Sequence, residues 1–130
     1  MKIIYKGTNA RDLTADREYL SFEICISVRN GTRMFRVVND FGVPSLYDLS
    51  DFDPKALDLS LSVLFTYEHG VTITVKEIAN LCESNSINDL WERYFNNEKE
   101  IVSKINECLE VQAKKEGVSI VKPSPYGTYE

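Results

Sequence analysis

Few residues of the 130-residue chain occur in patterns that are typical of catalysis. The single histidine, His69, precedes Gly70 in a predicted turn, and no serine or cysteine motif beside it resembles a nucleophile with its base. The three cysteines, Cys25, Cys82 and Cys108, are widely separated and include no CxxC pair, which disfavours a zinc site and a disulfide framework. We therefore expect a turn histidine, reduced and buried thiols, no enzymatic activity and no cofactor.

Three carboxylates lie close together in the sequence. Asp48, Asp51 and Asp53 could hold a hard cation, since Mg²⁺ and Ca²⁺ bind several converging oxygen ligands. We favour instead an acidic loop in which Asp53 caps the segment that follows. A pair of carboxylates acting as general acid and base is a further alternative, because pairing in space is not visible in a sequence. The six glycines are dispersed and form no phosphate-binding loop.

The charge of the chain is unevenly distributed. Its formal net charge is −5, yet residues 1–38 contain seven basic and four acidic residues, a net +3. Residues 39–60 contain one lysine and five aspartates, a net −4. An acidic segment repels phosphates and suits a basic protein partner. In the first strands basic and acidic residues alternate, which favours a solvated mixed face over an RNA-binding surface.

The acidic segment supplies the candidate contact surface. Aromatic residues between the aspartates could anchor a partner, while the charges could steer a basic one. The alternative is a solvated loop that borders the core. The candidate partner-binding residues are Asp40, Phe41, Tyr47, Asp48, Asp51, Phe52 and Asp53.

The clearest element that could position this surface is a β-hairpin. Residues 20–28 alternate between apolar and polar types, which predicts a strand with one buried face. Asn30-Gly31 is the preferred pair for a two-residue type I′ turn. The turn then sets Arg29 opposite Thr32, Ile26 opposite Phe35, Ile24 opposite Val37 and Arg36 opposite Cys25. With Glu23 diagonal to Arg36, we predict a modest surface ion pair.

Other strands complete the N-terminal half. Residues 1–6 form a short strand, and residues 43–47 form another, at an edge because Pro44 lacks a ladder donor. Asp53-Pro54 predicts at most one helical turn, and residues 57–65 alternate as a strand. Residues 71–75 return as its hairpin partner.

The C-terminal half has a helical period. The sequence predicts three helix starts, each at a pair of capping residues, and Gly117 is placed to end the longest helix. The starting pairs are Thr74 with Glu77, Ser86 with Asp89, and Asn97 with Glu100. The apolar stripes are Ile87, Leu90, Trp91, Tyr94 and Phe95 in one helix, and Ile101, Val102, Ile105, Cys108, Leu109 and Ala113 in the other. We predict one α+β domain over residues 1–130, mainly β over 1–76, mainly α over 77–117 and extended over 118–130.

Residues 74–95 are similar to the helix-turn-helix of bacterial regulators, in which a T-x-x-E-I-A helix precedes the recognition helix. The second helix would present Asp89 and Glu92 to DNA, with only Arg93 to offset them. We therefore favour a helical hairpin packed on the sheet. A nucleic-acid-binding regulator that uses residues 74–95 is the alternative function.

Three motifs in the first 53 residues resemble a short SH3-like β-barrel of small bacterial and phage proteins. They are Tyr5-Lys6-Gly7, the Leu13-Thr14 pair with Tyr19, and Val37-Val38-Asn39-Asp40-Phe41-Gly42. In overall type the small, acidic chain is similar to immunity proteins of bacterial toxin systems, which bind a cognate toxin, often a basic nuclease. That similarity implies a non-catalytic inhibitor of a basic toxin domain.

We expect neither a membrane span nor a signal peptide. The apolar stretches are far shorter than the ~20 residues that a bilayer requires, and Lys2 and Lys6 place charge too early for a signal sequence. The sequence therefore predicts a cytoplasmic protein.

Overall fold

A computed structural model describes residues 1–54, 62–82 and 86–127, apart from the side chain of Pro54. It confirms the α+β class: an antiparallel sheet precedes three helices. The strands are β1 Lys2–Tyr5, β2 Glu18–Ser27, β3 Arg33–Val38, β4 Pro44–Asp48, β5 Phe52–Pro54, β6 Ser62–Tyr67 and β7 Gly70–Val75. A one-turn 3-10 helix, Leu49–Asp51, separates β4 from β5, and the helices are α1 Lys76–Ala79, α2 Ile87–Phe95 and α3 Lys99–Glu116.

The long strand β2 organises the sheet. The strand order is β4-β3-β2-β1-β5, with β7 also paired to β2 and β6 paired to β7. One edge of β2 carries β3, while the other carries β1 at its start and β7 at its end. β2 therefore joins the strands that pair through β1 to those that pair through β7. As the central strand, it positions both β4 and β5.

A β-bulge in β2 changes which face its side chains occupy. The pairing with β3 shifts between Ser21, opposite Val37, and Glu23, opposite Arg36. As a result Phe22 packs towards the helices while Ile24 packs on the other side of the sheet. The prediction that residues 20–28 share one buried face is therefore wrong.

The first hairpin is confirmed, but its predicted register is wrong by two residues. Ile24 pairs with Phe35 and not with Val37, because the loop has four residues, 28–31, and closes where Ser27 N donates to the Thr32 carbonyl at 2.8 Å. A type I′ turn needs positive φ at both central residues, and in this loop only Gly31 has it. A shift of two keeps every side chain on its face.

The sheet separates two cores. The helix-side core comprises Leu20, Phe22, Val38, Ile78, Ile87, Leu90, Trp91, Tyr94, Ile101, Ile105, Leu109, Ala113 and Val118. The strand core comprises Ile3, Tyr5, Leu13, Tyr19, Ile24, Phe35, Val37 and Phe52. The predicted stripe of α2 lies in the first of these, with Phe95 at its margin, and β1, β3 and β5 supply much of the second.

Two of the predicted helix boundaries are confirmed. Ser86 caps α2 by accepting a hydrogen bond from Asp89 N at 3.2 Å. Gly117, with φ +68°, ends α3 in the left-handed conformation. The start of α3 differs slightly from the prediction, since Glu98 and not Asn97 is its N-cap.

The capping box predicted at Thr74 is wrong. Thr74 belongs to β7, where its hydroxyl donates to the Phe22 carbonyl at 3.3 Å, and Val75 takes the N-cap position of α1 without a side-chain bond. The hydroxyl is engaged by the neighbouring strand, so it does not cap the helix. The hairpin of β6 and β7 is confirmed, with Tyr67 paired to Gly70 across a two-residue loop.

Asp53 and Pro54, where at most one helical turn is predicted to begin, both lie in β5. A one-turn 3-10 helix lies earlier in the chain, over Leu49–Asp51, and Asp48 caps it. The strand predicted over residues 57–65 is confirmed for 62–65, while residues 55–61 lie outside the described residues.

Residues 118–127 belong to neither a helix nor a strand, and they contact both halves of the fold. Ser124 N donates to the Gly42 carbonyl at 2.9 Å, and the Asn106 amide of α3 donates to the Pro123 carbonyl at 2.9 Å. Val118 is buried in the helix-side core. The segment therefore ties the turn after β3 to α3.

Candidate partner-binding surface

Asp40 lies in the turn between β3 and β4 and is largely engaged by its own protein. It accepts hydrogen bonds from the Thr14 hydroxyl at 2.8 Å, the Arg17 guanidinium at 2.8 Å and the Tyr19 hydroxyl at 2.7 Å. Burial, together with the bond to Asp40, raises the pKa of Tyr19. The structure therefore gives Asp40 a positioning role, in which it fixes the loop before β2.

Asp48 stands exposed at the start of the 3-10 turn. One of its carboxylate oxygens accepts from the backbone N of Ser50 at 2.9 Å and from the Ser50 hydroxyl at 2.7 Å. These bonds favour the ionised form and lower the pKa of Asp48, with a smaller contribution from Arg33. Asp48 is therefore charged at neutral pH and holds the turn in place.

Asp51 and Asp53 follow on the same turn and on β5, and both are exposed. The Asp51 carbonyl accepts from Lys6 N at 2.7 Å, and Asp53 pairs with Ile4 of β1. The Lys6 ammonium bonds Asp16 at 2.9 Å, and this hydrogen bond, together with the charge of Asp16 and a smaller contribution from the charge of Asp53, raises the pKa of Lys6. The backbone that carries the two carboxylates is thus pinned to β1.

The aromatic residues of the segment are less exposed than an anchor needs to be. Phe52 is only 6% exposed and packs in the strand core, with its ring 5.4 Å from Tyr5 and 5.8 Å from Phe35. Tyr47 is half-buried, and its hydroxyl accepts from the Asn39 amide at 3.1 Å. Burial raises the pKa of Tyr47. Phe41 is also half-buried.

Of the seven candidate residues, the structure therefore leaves three exposed carboxylates and two partly accessible rings. Asp48, Asp51 and Asp53 form what we call the acidic turn, residues 48–53. Phe52 supports the acidic turn from within the strand core, and it is too buried to serve as a contact residue. Asp40 is less available to a partner for a different reason, because it is half-buried and both of its carboxylate oxygens already accept hydrogen bonds within the protein.

A buried charged cluster, which the sequence did not reveal, lies between the sheet and α2. Glu23 is 1% exposed, and its two carboxylate oxygens accept from Arg36 Nε at 2.7 Å and from Trp91 Nε1 at 2.9 Å. The Arg36 guanidinium also donates to the Pro44 carbonyl at 3.1 Å and lies 4.3 Å from the centre of the Trp91 ring. The predicted ion pair between Glu23 and Arg36 is therefore present, but its predicted position on the surface is wrong, because the bulge turns Glu23 towards the helices.

The cluster also contributes to the raised pKa of the Cys25 thiol. The thiol lies 3.6 Å from Glu23 Oε2, and burial followed by the charge of Glu23 raises the pKa of Cys25 to about 11. Cys82 and Cys108 also have raised pKa values, chiefly through burial. All three cysteines are free and half-buried. They are protonated at neutral pH, which makes them poor nucleophiles.

The other candidate sites are the single histidine and the residues that could bind a metal ion. His69 lies in the turn between β6 and β7, as predicted, and half of its side chain is exposed. Within residues 1–54, 62–82 and 86–127, no group of three or more His, Cys, Asp or Glu side chains is placed to hold a metal ion.

The segment that is similar to a helix-turn-helix differs from that motif in the length of its first helix. Its first helix, α1, has only four residues, and α2 buries its apolar stripe against the sheet. The exposed residues of α2 include Asn88, Asp89 and Glu92. Two of these three are carboxylates, which repel phosphates. Residues 83–85, which belong to the predicted turn, lie outside the described residues.

Comparisons of the chain with protein-family models, with curated proteins and with solved structures find no match. Of the helices in the described parts of the chain, none has the length and apolar character that crossing a bilayer requires.

Proposed function

We propose that this protein binds another protein through the acidic turn and acts as a non-catalytic inhibitor of that partner. The observation that carries the proposal is the rigid presentation of three exposed carboxylates on residues 48–53. Asp48 caps the turn, Lys6 N bonds the Asp51 carbonyl, and Phe52 anchors the centre in the strand core.

Rigidity matters because association is opposed by the entropy lost when mobile groups become ordered. The acidic turn has already lost that entropy on folding, since its backbone bonds are made within the free protein. Its carboxylates can accept charge-assisted hydrogen bonds from lysine or arginine side chains, which are stronger than neutral ones. A surface of this kind favours a basic protein partner.

The charge of the acidic turn is partly offset by its own protein. Arg33 contributes to the lowered pKa of Asp48, and Asp53 contributes to the raised pKa of Lys6. We therefore expect short-range hydrogen bonding to supply more of the affinity than long-range steering does. The half-buried ring of Tyr47, beside the turn, would add apolar contact at the rim.

The particular form that we propose is an immunity protein that neutralises a bacterial toxin, with a basic nuclease as one such partner. The charge of −5 and the acidic turn support this form. We also propose that residues 1–54 form an SH3-like unit. The strand order β4-β3-β2-β1-β5, with a one-turn helix before the last strand, supports that assignment.

The test is binding of a purified partner by isothermal titration calorimetry, after co-purification from the native host and mass spectrometry have identified that partner. The test variant combines Asp48→Asn, Asp51→Asn and Asp53→Asn, in which asparagine preserves the capping oxygen at position 48. The control variant combines Glu92→Gln, Glu107→Gln and Glu110→Gln, which removes the same charge from exposed helical positions.

We expect the test variant to bind at least about 10-fold more weakly and the control within about 3-fold of the wild type. Equal affinities of the two variants would contradict the acidic turn as the contact surface. A partner whose activity is unchanged at saturating inhibitor would contradict the inhibitory role. Salt-sensitive binding to DNA by the isolated protein would instead support the regulator that uses residues 74–95.

A further inference from the structure

The described strands leave three edges of the sheet, and these differ in how they are protected. As far as the described strands show, β4 and β5 each pair on one side only. β4 contains Pro44 and Asp48, and β5 contains Asp53 and Pro54. Proline and charge on an edge discourage pairing with another chain. β6 pairs only with β7 within the described residues, and its sequence, SVLFTY, contains neither a charge nor a proline.

The register of β6 shows which backbone groups face outwards. The two-residue loop makes Tyr67 and Gly70 a hydrogen-bonded pair, and such pairs alternate along an antiparallel ladder. The N–H and C=O groups of Ser62, Leu64 and Thr66 therefore point away from β7. They form the ladder that an additional strand would use.

A row of side chains on one face of the sheet also extends to the β6 edge. One row of directly opposed residues crosses five strands, from β4 to β6: Tyr47, Phe35, Ile24, Ile73 and Leu64. Ile24 is buried in the middle of the row, at 6% exposure, whereas Leu64 at its end is 58% exposed. A strand added beside β6 would cover the exposed end of the row.

We propose that β6 pairs with β6 of a second copy of this chain, antiparallel and about a two-fold axis at Leu64. In this register Leu64 opposes its own symmetry mate and Ser62 opposes Thr66, so that all three outward-facing residues of each strand are paired. Because β6 has no charged residue, two copies of it can pair without like-charge repulsion, although each chain has a net charge of −5. A two-fold contact of this kind is closed, and it stops at a dimer.

The dimer does not depend on the acidic turn. β4, which leads into the acidic turn, and β6 stand at opposite ends of the five-strand row, so dimerisation leaves the carboxylates of the turn accessible. Each dimer would therefore present two acidic turns. Failure of one proposal leaves the other intact, because the two surfaces share no residue.

The test is the molar mass of the full chain by sedimentation velocity over about 1–200 μM, since dimerisation depends on concentration. Three variants are compared with the wild type. Leu64→Lys places like charges on the two-fold axis, and Thr66→Pro removes an outward-facing N–H without touching the bonds to β7. Val28→Lys is the control, because Val28 is an exposed apolar residue, 70% exposed, in the first hairpin loop.

We expect the wild type and Val28→Lys to dimerise, and the two β6 variants to stay monomeric with unchanged circular dichroism. In the wild type, exchange of the Leu64 and Thr66 amide hydrogens should slow at least about 10-fold between the lowest and the highest concentration. A wild type that is monomeric throughout the range would overturn the proposal. A dimer that persists in both β6 variants would overturn it as well, because the contact would then lie elsewhere.

Discussion

Glu23 and Trp91 are joined by a hydrogen bond of 2.9 Å from the indole N–H to the carboxylate, across a separation of 68 residues. The bond connects the bulged part of β2 with the middle of α2. The second oxygen of Glu23 is bound to Arg36, so a single carboxylate fixes the helix relative to two strands. Apolar contacts have little directionality, whereas this hydrogen bond specifies one orientation of α2 on the sheet.

Removing one partner of the buried ion pair should destabilise the fold strongly. We expect Glu23→Gln to lower the free energy of unfolding by about 3–5 kcal/mol, because it leaves the buried charge of Arg36 uncompensated. Urea-induced unfolding measures the loss. The control is Lys104→Met, which breaks the exposed pair with Glu100 and should cost at most about 1 kcal/mol. Similar losses in the two variants would show that Glu23 is not effectively buried.

The two partners of the pair should also be energetically coupled. We expect the double variant Glu23→Gln with Arg36→Met to lose less stability than the sum of the single losses, because neither buried charge then remains. The difference should exceed about 1 kcal/mol in a double-mutant cycle. Additive losses would mean that Glu23 and Arg36 contribute independently, contrary to the 2.7 Å contact between them.

The thiol of Cys25 should make stability depend on pH in the alkaline range. Its pKa rises from 9.0 to about 11 on folding, so the folded state holds the proton more tightly. The resulting stabilisation is complete below pH 9 and is lost as the pH rises towards 11. We expect Cys25→Ala to flatten the decline in stability over this interval, as measured by urea unfolding at several pH values. An unchanged slope would contradict the raised pKa.

Two glycines with positive φ should respond differently to alanine. Gly42 has φ +82°, and a Cβ there would collide with the carbonyl oxygen of Lys122. Gly31 has φ +71°, but a Cβ there meets nothing. We expect Gly31→Ala to cost about 1–2 kcal/mol through backbone strain alone, and Gly42→Ala to cost clearly more. Thermal unfolding compares the two, and equal costs would indicate that the C-terminal segment gives way without loss.

Asp40 should prove structural when it is replaced. We expect Asp40→Asn to reduce stability by about 1–3 kcal/mol, because the bonds to Arg17 and Tyr19 lose their charge. The pKa of Tyr19 should also fall towards its ordinary value, as followed by absorbance during alkaline titration, since Asp40 contributes to raising it. Binding of the partner should be unaffected at saturation. A large loss of affinity without loss of stability would return Asp40 to the contact surface.

Local patterns in the sequence predicted much of the fold. The helical period located the buried stripe of α2, Ser86 marked its start and Gly117 marked the end of α3. These features depend on residues within a few positions of one another, so a short window of sequence contains the information. The α+β class follows from the same periodicities.

The remaining features depend on contacts that a short window does not contain. The bulge at Phe22 changes which face of the sheet the following β2 side chains occupy. The alternation of apolar and polar residues continues unbroken through the bulge, so the sequence does not indicate it. Thr74 fits the local sequence pattern of a helix cap. Its hydroxyl instead donates a hydrogen bond to the carbonyl of Phe22, which is 52 residues away and therefore outside any short window of sequence.

The candidate surface was predicted in the same incomplete way. The sequence pointed to Asp48, Asp51 and Asp53, which the structure leaves exposed, but it could not separate Asp48 from Asp40. Both are aspartates beside turns, and only the fold shows that Asp40 is bonded to Arg17 and Tyr19. Phe52 was chosen as a contact because it is aromatic and stands between aspartates, yet the same apolar character draws it into the strand core.

The bond from Ser124 to Gly42 has a consequence for the order of assembly during synthesis. The turn after β3 leaves the ribosome some eighty residues before the segment that completes it. Glu23 likewise leaves the ribosome 68 residues before Trp91, so the nascent sheet at first has a carboxylate without its indole partner and a face that α2 does not yet cover. Contacts between such distant positions slow folding. We expect the chain to reach its native state in one late, cooperative step and not strand by strand as it emerges.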